Sequence, residues 1–126
     1  MRETVLLINF QDEKQLRDLK MILFTLKIRM KKVEKKEYLQ QIGFLAGMKN
    51  MEAAPECYEG EELEKEMMVF AGISNQRLDQ ILSMMRKNGV KRMDYKAILT
   101  ETNKTWTVPR LYEEISKEHA QMHRQS

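Results

Sequence analysis

The chain has 126 residues, 42% hydrophobic and 33% charged, with a net charge of +3 at pH 7. That length supports one domain around one core, residues 1–126, and leaves no room for a second domain of ordinary size. Cys57 is the only cysteine, which excludes an internal disulfide and a thiolate metal cluster within one chain.

Met1 to Thr4 leads into an apolar run, Val5 to Ile8, that meets Asn9 too soon for a signal h-region or a membrane span. The expectation is a cytoplasmic chain with no membrane partner. Val5 to Phe10 is a first strand, apolar on both faces. Asp12 to Leu26 follows as an amphipathic helix, since Leu19, Ile22, Leu23 and Leu26 share one face. Asp12 is its N-cap, with Gln15 placed to complete a capping box. Ile28 to Glu34 is a second strand, punctuated by Arg29, Lys31 and Lys32.

Residues 35–66 form an insertion too long for a hairpin. Lys35 and Lys36 extend a basic block that begins at Lys27, and seven glutamates crowd the stretch from Glu52 to Glu66. The two blocks are expected to neutralise one another or to offer a partner a surface of either sign. With few apolar residues and Pro55, Glu52 to Glu62 is expected to be the most mobile internal segment unless it docks on something.

Met67 to Gly72 is a third strand, again apolar on both faces. Ser74 to Lys87 repeats the helical spacing with Leu78, Ile81, Leu82 and Met85, between a Ser74 N-cap, an Ile73/Leu78 staple and an Asn88-Gly89 stop. Lys91 to Leu99 is a fourth strand, in which Met93, Tyr95, Ala97 and Leu99 alternate with polar residues. A polar loop, Thr100 to Thr107, precedes a C-terminal helix over 107–124 with Pro109 in its first turn and Val108, Leu111, Tyr112, Ile115, His119 and Met122 on one stripe.

Strand-helix-strand twice over predicts an α+β chain, a ferredoxin-like βαββαβ sandwich with an antiparallel sheet of order 4-1-3-2. The apolar first and third strands are central, and the charged second and fourth are edges. Two helices cover one sheet face only. The other must be closed by the C-terminal helix and the Tyr38 to Met48 segment, or by a second copy of the chain in a homo-oligomer.

The turn after the third strand and the loop after the fourth fall at one end of this sheet. Ser74 and Asn75 at a helix N-terminus and Thr102, Asn103, Lys104 and Trp106 in the loop therefore form a candidate binding site for a small anion. The alternative is that Ser74 and Thr107 merely cap helices while Trp106 plugs the core end; the reading between the two packs the indole body on the sheet end with its N–H directed to a polar partner or solvent. No catalytic constellation, nucleotide motif or cofactor box follows any strand. His119 and His123 stand at i, i+4 without a third ligand, so no metal is assigned. The methionines are core fillers.

The stretches L-L-I-N-F, Y-L-Q-Q-I-G-F-L-A-G-M, M-M-V-F-A-G-I-S-N-Q-R-L-D and K-A-I-L-T-E-T-N-K-T-W-T together resemble the bacterial family known as domain of unknown function 3783. The resemblance runs from Val5 to His119. It carries over no catalytic residue and no ligand, and implies that the 100–107 loop and the Gly43 to Gly47 segment belong to the domain. At fold level only, the chain is also similar to small trimeric regulators of the nitrogen-sensor type, which carry a long loop between the second and third strands. The function expected is an uncharacterised regulatory or interaction module, with a small anionic ligand or a protein as partner. Alternatives are nucleic-acid binding through the basic 27–36 stretch, against which the only central-strand aromatics, Phe10 and Phe70, sit in runs that look buried, and an enzyme with a site between subunits.

Overall fold

A computed structural model describes residues 1–124. The elements are β1 (Thr4–Ile8), α1 (Glu13–Thr25), β2 (Arg29–Val33), a 3-10 turn (Lys35–Glu37), α2 (Ile42–Leu45), β3 (Met67–Ala71), α3 (Asn75–Lys87), β4 (Lys96–Ile98) and α4 (Val108–Arg124).

The strand-helix-strand repeat extends to backbone detail. Each helix starts from a side-chain cap, with Asp12 Oδ1 accepting the Gln15 N–H at 3.1 Å and Ser74 Oγ accepting the Arg77 N–H at 3.2 Å. The Gln15 side chain reaches Met93 Sδ at 3.6 Å, so the capping box expected there is not formed. Each helix also ends in the same motif. Ile28 N–H donates to Leu23 C=O across Lys27 (φ 59°), and Val90 N–H donates to Met85 C=O across Gly89 (φ 70°). Asn9 (φ 61°) and Gly72 (φ 67°) make the corresponding left-handed corner after β1 and β3.

The sheet order is β2-β1-β3-β4, which corrects the expected 4-1-3-2 antiparallel arrangement. β1 and β3 are central and antiparallel, and β2 and β4 are edges, as their composition required. But β2 lies parallel beside β1 and β4 parallel beside β3. Each helix therefore makes a crossover to the adjacent strand instead of skipping one. The physical reason lies in the connection 34–66. A ferredoxin-like sheet places β2 beside β3 through a tight hairpin, and this long connection supplies no such constraint. The likeness to nitrogen-sensor regulators rested on the βαββαβ succession and the long connection after the second strand; both are present, but the sheet is not the ferredoxin-like one.

Two cores flank the sheet. Val5, Leu7, Met68 and Phe70 face α1 and α3, where they meet Leu19, Ile22, Leu23, Ile81 and Met85. Leu6, Ile8, Met67 and Val69 face the other way and meet Tyr38, Ile42, Leu45, Val108, Leu111 and Ile115. The C-terminal helix and the Tyr38 to Met48 segment thus close the second face within one chain. Backbone bonds hold them together: Ile42 N–H to Trp106 C=O at 2.9 Å, Gly43 N–H to Lys104 C=O at 2.8 Å and Val108 N–H to Tyr38 C=O at 3.1 Å.

The acidic stretch after α2 forms no regular element, yet it is strapped to this second layer. Ala54 exchanges two hydrogen bonds with the Gln40 amide, Tyr58 N–H donates to Lys36 C=O, Asn9 Nδ2 donates to Leu63 C=O and Lys65 N–H donates to the Tyr112 hydroxyl. Tyr58 and Leu63 pack on the core beneath. Buried Tyr38 donates its hydroxyl to Glu62 Oε1 at 2.7 Å. Burial first, then the Glu62 carboxylate, pushes that phenol above the usual tyrosine range.

Candidate functional site

Because β3 and β4 run parallel, the turn after β3 and the loop after β4 do lie at one end of the sheet. The expected site residues nonetheless divide between two layers. Ser74 and Asn75 are exposed at the start of α3, whereas Trp106 packs half-buried against the α4-side core with the Arg110 guanidinium 4.7 Å above its ring. Thr102 is exposed, and the Lys104 ammonium pairs with Glu101. Asn103 is buried and used by its own loop. Its Oδ1 accepts the Thr100 N–H at 2.9 Å, its N–H donates to Thr100 Oγ1 at 3.1 Å, and its Nδ2 donates to Ile98 C=O at 3.0 Å.

The chain supplies its own carboxylate near the α3 N-terminus. Glu3 takes a bidentate hydrogen bond from Arg77, Nε to Oε2 at 2.9 Å and Nη2 to Oε1 at 3.1 Å. That hydrogen bond lowers the Glu3 carboxyl from its usual range. Met1 and Arg2 close over the turn, their carbonyl oxygens 3.2 and 3.3 Å from where a Cβ on Gly72 would stand.

A more convergent arrangement lies along the outer side of β4. Two adjoining hollows of about 370 and 420 Å³ share Leu82 and Lys96. Met85 and Met93 floor the first, and Phe70 and Leu78 floor the second. Four cations rim this groove: Arg86, Lys91, Arg92 and Lys96. Asp94 stands 3.9 Å from Arg92, and Glu64 and Glu66 line an adjoining hollow with Lys91 and Arg92, while Arg86 and Lys91 form no ion pair among the described residues. Lys96 Nζ donates to Met93 C=O at 2.8 Å. Asn103 and Glu118 close the far end.

Backbone alternation orients β4 beside the groove. Met68 N–H bonds Tyr95 C=O at 3.0 Å and Leu99 N–H bonds Phe70 C=O at 2.9 Å, so the odd-numbered residues of this strand face β3. The peptide groups of Lys96 and Ile98 therefore lie on the open edge, with only the Ile98 C=O occupied, by Asn103. The Ile98 side chain, 47% exposed, is one of the few large apolar groups left to solvent. Sequence reasoning passed over this groove. The signal was present, since Arg86, Lys91, Arg92 and Lys96 interleave with Leu82, Met85 and Met93 across the Gly89 turn.

The basic stretch in β2 is arranged differently. Lys31 pairs with Glu37 at 3.1 Å and Lys36 with Glu34 at 3.3 Å, so its neutralising partners are local and not the Glu52 to Glu66 block. Phe10 and Phe70, the central-strand aromatics that a nucleic-acid surface would need, are buried as expected, each 2% exposed. His119 stands edge-on to the Tyr95 ring at 5.5 Å. The side chains of Met122 and His123 lie outside the described residues, among which no group of three His, Cys, Asp or Glu could hold a metal. No helix among those residues is long and apolar enough to cross a membrane.

Residues 66–122 match the family model described as Domain of unknown function (DUF3783). The resemblance read from the sequence holds over that stretch, which contains two of the four segments that carried it. The match also contains β3, α3, β4 and most of α4, and hence every residue of the groove. No curated protein and no solved structure matches the chain significantly.

Proposed function

We propose that this chain is a non-catalytic interaction module that receives an anionic partner in the groove beside β4. The observation that carries the reading is the convergence of four cations on an apolar floor, next to a strand whose outer edge is open. Apolar surface supplies affinity, and the cations on its rim select the sign of what enters. The groove lies in the stretch that resembles the family of unknown function. Asn103 links this surface to the loop first singled out for an anion.

Thermal denaturation in the presence of anions with an apolar body, with 8-anilinonaphthalene-1-sulfonate as the first probe, tests the reading. A binder at a hundredfold excess over its dissociation constant adds about 2.7 kcal/mol. Reversing two rim charges, Lys91→Glu with Arg92→Glu, should abolish the shift and leave the unliganded protein folded, because both side chains are exposed. Stabilisation that survives the double reversal overturns the proposal. So does the absence of any shift with a series of such anions.

A further inference from the structure

We propose that the anionic partner is an extended acidic peptide segment of another protein, which adds to β4 as a fifth strand. The inference rests on the groove reading above and specifies the occupant. Three observations converge on it. The Lys96 N–H and C=O and the Ile98 N–H lie on an unpaired edge, in the alternate spacing that an incoming strand matches. Asn103 takes the next acceptor, the Ile98 C=O, and so ends the pairing there. Beside this edge lies the apolar groove under Leu78 and Leu82, placed to receive every second side chain of the added strand.

Charge decides between occupants. A second copy pairing β4 on β4 would bring two sets of rim cations together, and like charges facing one another across strands are destabilising. An acidic strand meets the opposite situation. Lysine on an edge strand repels unselected partners, and the same charge admits a complementary one. Polarity follows from the ends of the groove: Arg86, Lys91 and Arg92 line one end, where Asp94 partly offsets Arg92, and Glu118 lines the other, so the acidic residues belong at the Arg86 and Lys91 end. The opposite sheet edge lacks this combination, because Lys31 on β2 already pairs with Glu37.

The test uses a peptide of about six residues that alternates glutamate and valine, with a copy N-methylated at alternate amides to block strand pairing. The full chain is titrated with each, and amide exchange is followed by NMR. Only the unmodified peptide should bind, with exchange at the Lys96 and Ile98 amides slowed about tenfold or more. Lys91→Glu with Arg92→Glu should weaken it about tenfold or more, and a lysine-valine peptide should then bind instead. Equal binding of the N-methylated peptide overturns strand addition and leaves the anion reading standing. Binding of the small sulfonate without either peptide does the same, as does an RNA oligomer that occupies the groove in the peptide's place. Failure of every anion overturns both proposals together.

Discussion

Two glycines of the same left-handed conformation show what local surroundings add to a backbone requirement. At Gly89 (φ 70°) an added Cβ would meet nothing within 4 Å, so Gly89→Ala carries only the conformational penalty, about 1–2 kcal/mol. At Gly72 (φ 67°) the same Cβ would also press on the Met1 and Arg2 carbonyl oxygens. Gly72→Ala should therefore lower the urea midpoint distinctly more than Gly89→Ala. Equal shifts would show that the N-terminal residues yield without cost. Caps and stops such as Asp12, Ser74 and Gly89 were legible in the sequence because each satisfies backbone groups within its own turn. Asn103 was not. A polar loop side chain has the same composition whether it binds a ligand or fastens its own loop, and the three bonds that fasten Asn103 to Thr100 and Ile98 appear only in three dimensions.

Between elements, the Glu3–Arg77 pair joins the start of β1 to the first turn of α3, and the same guanidinium donates to Leu26 C=O at the end of α1. The Arg77 hydrogen bond holds the Glu3 carboxyl below its unfolded value of about 4.3. Its stabilisation is thus fully present above that pH and is lost as pH falls through the lower folded value. Glu3→Gln should be less stable than the parent at neutral pH, and the gap should close below about pH 4.3. A gap that stays constant down to pH 2 would remove the ionic contribution. Burial acts first on Glu37 and raises its carboxyl, but the Glu34 N–H and Lys31 together outweigh it and leave the carboxyl lowered. Some acid sensitivity will therefore remain in the variant. The elements themselves were legible from periodicity, as were the two central and two edge strands. The order of those strands was not, because apolar alternation says which face a strand buries but not which neighbour it takes. Only a short turn fixes a neighbour, and between β2 and β3 there is none.

At the scale of the whole molecule, the chain consists of two strand-helix-strand halves joined along the antiparallel β1–β3 seam. A second set of bonds, from the Tyr38–Gly43 segment to Lys104–Val108, crosses between the same halves on the other layer. The acidic strap is the covalent tether between them, and Glu56 and Glu59 on it are exposed. A glutamate-specific protease should cut there first and yield two fragments that travel together on gel filtration and separate only in denaturant. Fragments that fall apart on cutting would show that the tether, not the seam, holds the halves. Once cut, the protein becomes a heterodimer of its own two parts, and folding changes its molecularity. Its melting temperature should then rise with protein concentration, as that of the intact chain does not.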